Sequence, residues 1–196
     1  MCIRDRSSID IETIAGNPDA FIQSLMPYAQ APAQKLGVDP RLLVAQAALE
    51  TGWGKSLERD GHGFNLFGIK AGKSWEGEQT VHPTHEVYNQ QIVREKSAFR
   101  QYESVQESFD DYVQLIERRY EEATKAKGSP QEYMKHLAQN GYATDPAYAD
   151  KVLAVYNSSR FKSVSVAEAE SSLKSETVDL AMNKPLGSND PRLRIW

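Results

Sequence analysis

In the segment RLLVAQAALETGWGKS, residues 41 to 56, an almost wholly apolar run ends on one carboxylate, Glu50, followed at once by glycines flanking Trp53. Asp39 and Pro40 make a good N-cap and first helical residue, and Gly52 suits the left-handed residue that closes a helix. The pattern therefore predicts Glu50 in a last helical turn. The carbonyl end of a helix carries partial negative charge, and Leu49, Trp53 and Phe67 would reduce solvation, so both effects favour the protonated acid. A carboxyl held neutral near pH 7 can donate a proton. Gln46 falls on the same helical face one turn earlier.

Proton donation to a leaving oxygen is one half of glycosidic cleavage; the other half is a second carboxylate that assists water or stabilises positive charge. Glu76, Glu78, Glu86 and Glu95 are all available in the segment after residue 72, and composition does not choose among them. A sugar groove also needs rings for sugar faces and amides for hydroxyls, for which Trp53, Asn65, Phe67, Trp75 and Tyr142 are the candidates, with the backbone of Gly68 beside them. The cluster HPTHE, with His82, His85 and Glu86, lacks the helical spacing of a zinc protease, and Pro83 argues against a helix there. No metal site is expected from it. The chain has no GxSxG elbow, phosphate loop or dinucleotide glycine fingerprint.

The elements that must hold these groups follow from periodicity. Asn17 and Pro18 start a helix carrying Phe21, Ile22, Leu25 and Met26, which Pro27 and Pro32 are expected to kink or divide before Gly37 closes it. After the Glu50 helix, residues 57 to 72 read as a glycine-rich loop. Between Trp75 and Tyr102 the helical period stops, and β-branched and aromatic residues around a turn near Tyr88 to Gln91 predict two or three short strands. Ser104 with Glu107 and Ser129 with Glu132 are capping boxes that open two further helices, and Pro146 opens a last one with Tyr148, Val152, Val155 and Tyr156 on one side.

A chain of 196 residues with a 40% apolar fraction fits one domain plus poorly packed ends. Residues 1–16 read as a linker or a non-native N-terminal segment, 17–162 as the folded domain and 163–196 as a flexible tail. The net charge of -4 gives no electrostatic case for nucleic acid or an anionic membrane. No run approaches a membrane span, and the single cysteine, Cys2, excludes an internal disulfide framework.

Taken together and in order, AQAALETGWGKS, FNLFGIK, the tryptophan of SWEG, FRQY with ESFDDYVQLI, and NGYATDPAYADKV resemble glycoside hydrolase family 73 over about Asn17 to Ser159. Within it, the likeness is to the hydrolase domains that serve flagellar rod assembly. The resemblance implies an α+β, mainly α, lysozyme-like domain with a small β-hairpin lobe. It also implies endo-β-N-acetylglucosaminidase activity on peptidoglycan glycan strands, with no metal or cofactor. Carried over by motif, Glu50 matches the general acid, Glu86 the second carboxylate and Tyr142 the tyrosine of the catalytic cleft, with Tyr148 the second candidate for that place. Gln46, Trp53, Asn65, Phe67, Gly68, Trp75 and Tyr148 form the substrate-binding set. The implied setting is the bacterial periplasm, where the enzyme opens the wall for the rod. Flagellar rod proteins are the implied partners, and export is expected by the flagellar secretion route in the full-length protein. The same scaffold also suits a muramidase, a lytic transglycosylase, or a glycan-binding or rod-scaffolding module without turnover.

Overall fold

The computed structural model describes residues 9–60, 63–88, 91–126 and 128–163. Its centre is the Glu50 helix, α3 (Pro40–Thr51), following α1 (Ile11–Ile14) and α2 (Pro18–Leu36). Asp39 accepts a hydrogen bond from the backbone N–H of Arg41 at one end of α3, and Gly52, at φ 57°, closes the other. Every residue from Leu42 to Ala48 is buried, because α2 packs on α3 from one side and α8 (Tyr148–Tyr156) from another. A helix apolar all round belongs inside.

Three expectations change in the structure. The prolines at 27 and 32 do not divide α2, which runs on as a single helix with both inside it. Leu25, Met26, Ala29, Pro32 and Ala33 are buried along that stretch, and their packing outweighs the lost backbone bonds. The start of the expected loop at 57–72 is instead helical, α4 (Lys55–Asp60), with Leu57 buried in the core. Residues in the segment read as a linker also enter the core: Asp10 caps α1 and Ile14 is buried. The tail beyond Ser163 lies outside the described residues.

The region expected to hold two or three short strands forms one antiparallel pair, β1 (Gln79–Tyr88) and β2 (Gln91–Arg100), each ten residues long. Register runs from Gln79 opposite Arg100 to Tyr88 opposite Gln91. Backbone bonds from Ala71 to Ala98 and from Arg100 to Ile69 join β2 to the preceding loop. The rest is helical: α5 (Val105–Arg119), α6 (Glu121–Thr124), α7 (Pro130–Gln139), α8 and α9 (Ser159–Lys162). Ser104 and Ser129 cap α5 and α7 by accepting from the N–H groups of Glu107 and Glu132. The whole is mainly α with a two-stranded lobe.

Candidate active site

Glu50 is the penultimate residue of α3, so the helix that buries Leu42 to Ala48 carries it to the edge of a cleft of about 540 Å³. One wall of the cleft is the loop with Gly63, Asn65 and Gly68; the other is the hairpin, with Thr80, His82, Pro83, Thr84, Phe99 and Arg100. Burial pushes the Glu50 carboxyl up to about 7, partly offset by a hydrogen bond from the Tyr148 hydroxyl to Oε1 at 2.7 Å. The C-terminal end of α3 acts in the same direction as burial. A carboxyl in this range is protonated in a large fraction of molecules at neutral pH, and it borders open space. That combination is a proton donor.

Behind Glu50 runs a buried polar chain. Gln46, with none of its surface exposed, donates from Nε2 to the Tyr148 hydroxyl at 2.9 Å and accepts at Oε1 from the Tyr112 hydroxyl at 2.7 Å. The Tyr112 and Tyr133 hydroxyls meet at 2.8 Å. On the other side, Oε2 of Glu50 faces Gly68, where an added Cβ would stand 2.8 Å from that oxygen on a backbone at φ 61°. Gly68→Ala is therefore expected to push the carboxyl aside and strain the loop. Turnover should fall on the order of 10²-fold for a stability loss of only about 1 to 2 kcal/mol, measurable by parallel activity and thermal-melt assays.

Several residues expected in the groove have other duties. Phe67 is 1% exposed, stacked on Tyr112 at 4.0 Å between ring centres and edge-on to Phe109. Trp53, at φ 61°, packs between Phe21 and Phe161 rather than facing the cleft. Trp75 lies under the guanidinium of Arg100 and donates Nε1 to the Glu78 carbonyl. Gln46 is buried behind Glu50, out of reach of a substrate in the cleft. Asn65 does line the cleft, yet its amide donates to the carbonyls of Ile69 and Arg100 and accepts from the Ile69 N–H, pinning the loop to β2.

The two tyrosines of GYATDPAY also divide their work. Tyr148 is the one that reaches Glu50, whereas the Tyr142 hydroxyl donates to the Phe67 carbonyl at 2.9 Å and its ring stacks on Tyr148. Burial holds both phenols well above their ordinary range, so each keeps its proton. Among the glutamates left open by composition, Glu76 and Glu78 are exposed ahead of β1. Glu95 accepts from Ser97 and pairs with Lys70 at 3.5 Å. Glu86 lies on β1 opposite Val93, two positions along from Thr84, and its side chain is outside the described residues.

Sequence reasoning missed the hairpin wall. Thr80, His82 and Thr84 alternate along β1, and Phe99 pairs with Thr80 across the ladder, so these four share one sheet face at the cleft, which Pro83 and Arg100 also border. The alternation was readable once the strand bounds were known. Arg100 is held at the wall by Asp111, which accepts two bonds from it at 2.9 and 2.7 Å and one from the Tyr102 hydroxyl. Among the described residues no group of three histidine, cysteine or carboxylate side chains is arranged to hold a metal ion.

Comparison with known proteins identifies the family. A family described as glucosaminidase, mannosyl-glycoprotein endo-beta-N-acetylglucosaminidase, matches residues 26–161. The peptidoglycan hydrolase FlgJ of Vibrio parahaemolyticus is 46% identical over 143 residues, 71% of this chain and 46% of that protein. The chain thus spans about half the length of such relatives. A crystal structure of a peptidoglycan hydrolase mutant from Sphingomonas sp. A1 superposes with a TM-score of 0.66 at 39% identity, over 74% of this chain and 96% of that one. A C-terminally truncated glycoside hydrolase domain of Salmonella typhimurium FlgJ gives 0.57 at 33% identity, over 76% of this chain and all of the other. The chain belongs to the glucosaminidase family, glycoside hydrolase family 73, with the lysozyme-like fold of its solved members.

Proposed function

We propose that the protein is a peptidoglycan hydrolase that cuts glycan strands as an endo-β-N-acetylglucosaminidase. The observation that carries this reading is Glu50, pushed up to about 7 by burial while it lines an open cleft. Glu50 gives its proton to the glycosidic oxygen as the bond breaks, and Glu86 on β1 assists the attacking water or steadies the positive charge. Tyr148 holds the carboxyl, and Tyr142 holds the loop that carries Gly68 against it. Polar groups of the hairpin wall meet sugar hydroxyls, and Phe99 offers a ring to a sugar face. Family membership supports the bond type, and the names of the relatives support the polymer.

The likeness to FlgJ supports a setting in the bacterial periplasm, with flagellar rod proteins as neighbours and export by the flagellar route. Among the described residues no helix is long and apolar enough to cross a membrane. The test is digestion of purified peptidoglycan, with mass spectrometry of the fragments after borohydride reduction. Reduced N-acetylglucosamine ends are expected. Reduced N-acetylmuramic acid or anhydro ends would instead mark a muramidase or a lytic transglycosylase, and a folded protein that releases nothing would mark a glycan-binding module.

A further inference from the structure

The chain of buried groups behind Glu50 has a direction. Tyr112 has one hydroxyl proton and gives it to Gln46 Oε1, so at its 2.8 Å contact with Tyr133 it accepts and Tyr133 donates. Gln46 then donates to Tyr148, whose own proton is left for Oε1 of Glu50. Tyr133, Tyr112 and Gln46 are fully buried, and none of them lines the cleft. Burial keeps both phenols protonated and able to donate.

We propose that Tyr133, Tyr112 and Gln46 form a one-way donor relay that fixes Tyr148 as a donor to Oε1 of Glu50 and so leaves Oε2, the oxygen facing Gly68, to carry and release the acid proton. The relay deepens the reading of Glu50 as general acid and rests on it. With Oε1 engaged as an acceptor, a proton there would meet the Tyr148 hydroxyl hydrogen. Once Glu50 has given up its proton, only this direction works, since a carboxylate has none to return along the chain. The relay therefore stabilises the conjugate base and strengthens the acid. Tyr112 and Gln46 act as positioning residues, through Tyr148.

The test variant is Tyr112→Phe, which keeps the ring that stacks on Phe67. Without the Tyr112 proton, Gln46 Oε1 loses its donor, the amide is free to turn, and Tyr148 can donate to Gln46 instead of Glu50. Wild type is assayed first on purified peptidoglycan; its inactivity would defeat the proposed function and not the relay. With an active wild type, Tyr112→Phe is expected to lower kcat about tenfold, the worth of one strong hydrogen bond, with KM little changed and the alkaline limb of the pH profile moved upward. In a Gln46→Leu background the same substitution should cost nothing, because its route to Tyr148 is gone. Wild-type kcat with an unmoved limb, or an equal loss in both backgrounds, would overturn the relay. If Tyr112→Phe does not fold, 3-fluorotyrosine at position 112 is a nearly isosteric and stronger donor. It should move the limb downward, and an unmoved limb would again overturn the proposal.

Discussion

Glu50→Gln is expected to reduce peptidoglycan cleavage by roughly 10² to 10⁴-fold while binding to sacculi persists. Glutamine keeps the shape, its Oε1 still accepts from Tyr148, and only the transferable proton is lost. Assays of fragment release beside sacculus pull-down separate the two effects. On the proposed role, wild-type turnover should also fall as pH rises through about 7, because a general acid acts from its protonated form and burial places the Glu50 titration there.

The same substitution should stabilise the fold, and only at high pH. The folded chain holds a proton on Glu50 up to about 7, whereas the unfolded chain releases it near 4.5. Below 4.5 both states are protonated, and Glu50→Gln should leave stability unchanged. Between 4.5 and 7 the folded wild type progressively loses stability relative to the variant. Above 7 it carries a partly buried anion at a cost of up to about 3 kcal/mol. Thermal melts should coincide at pH 4 and differ by roughly 6 to 12 °C at pH 8.5, with the variant the more stable. A carboxyl that costs stability when ionised is a site held in place by the rest of the core.

Glu50 was legible because its helix is punctuated locally. Asp39, Pro40 and Gly52 set the two ends, and an apolar run between them leaves one carboxylate at the exit. Capping boxes at Ser104 and Ser129 placed α5 and α7 for the same reason. What sequence could not carry was the outcome of packing. Phe67 and Trp53 have the ring chemistry of a sugar groove, but Tyr112 and Phe109 claim one and Phe21 and Phe161 the other. Pro27 and Pro32 read as kinks or breaks because the rule for proline is local, whereas the packing that keeps α2 undivided is tertiary.

Which of the two tyrosines touches Glu50 was hidden for a similar reason. Tyr142 and Tyr148 lie six residues apart in one motif, and only the approach of α8 to α3 decides that Tyr148 reaches Glu50. Gln46 was read as facing substrate because it shares a helical face with Glu50. That face points into α8 at Gln46 and reaches the cleft only at Glu50. A one-turn difference along α3 separates a fully buried side chain from one that borders the cleft.

The most direct test is a titration of the Glu50 side-chain carboxyl by carbon-13 NMR, with Glu50→Gln used to assign the resonance. A midpoint near 7 is predicted for the folded protein, from burial at the end of α3 and one hydrogen bond from Tyr148. A midpoint near 4.5 would contradict it: the carboxyl would be ionised at neutral pH and unable to serve as the proton donor.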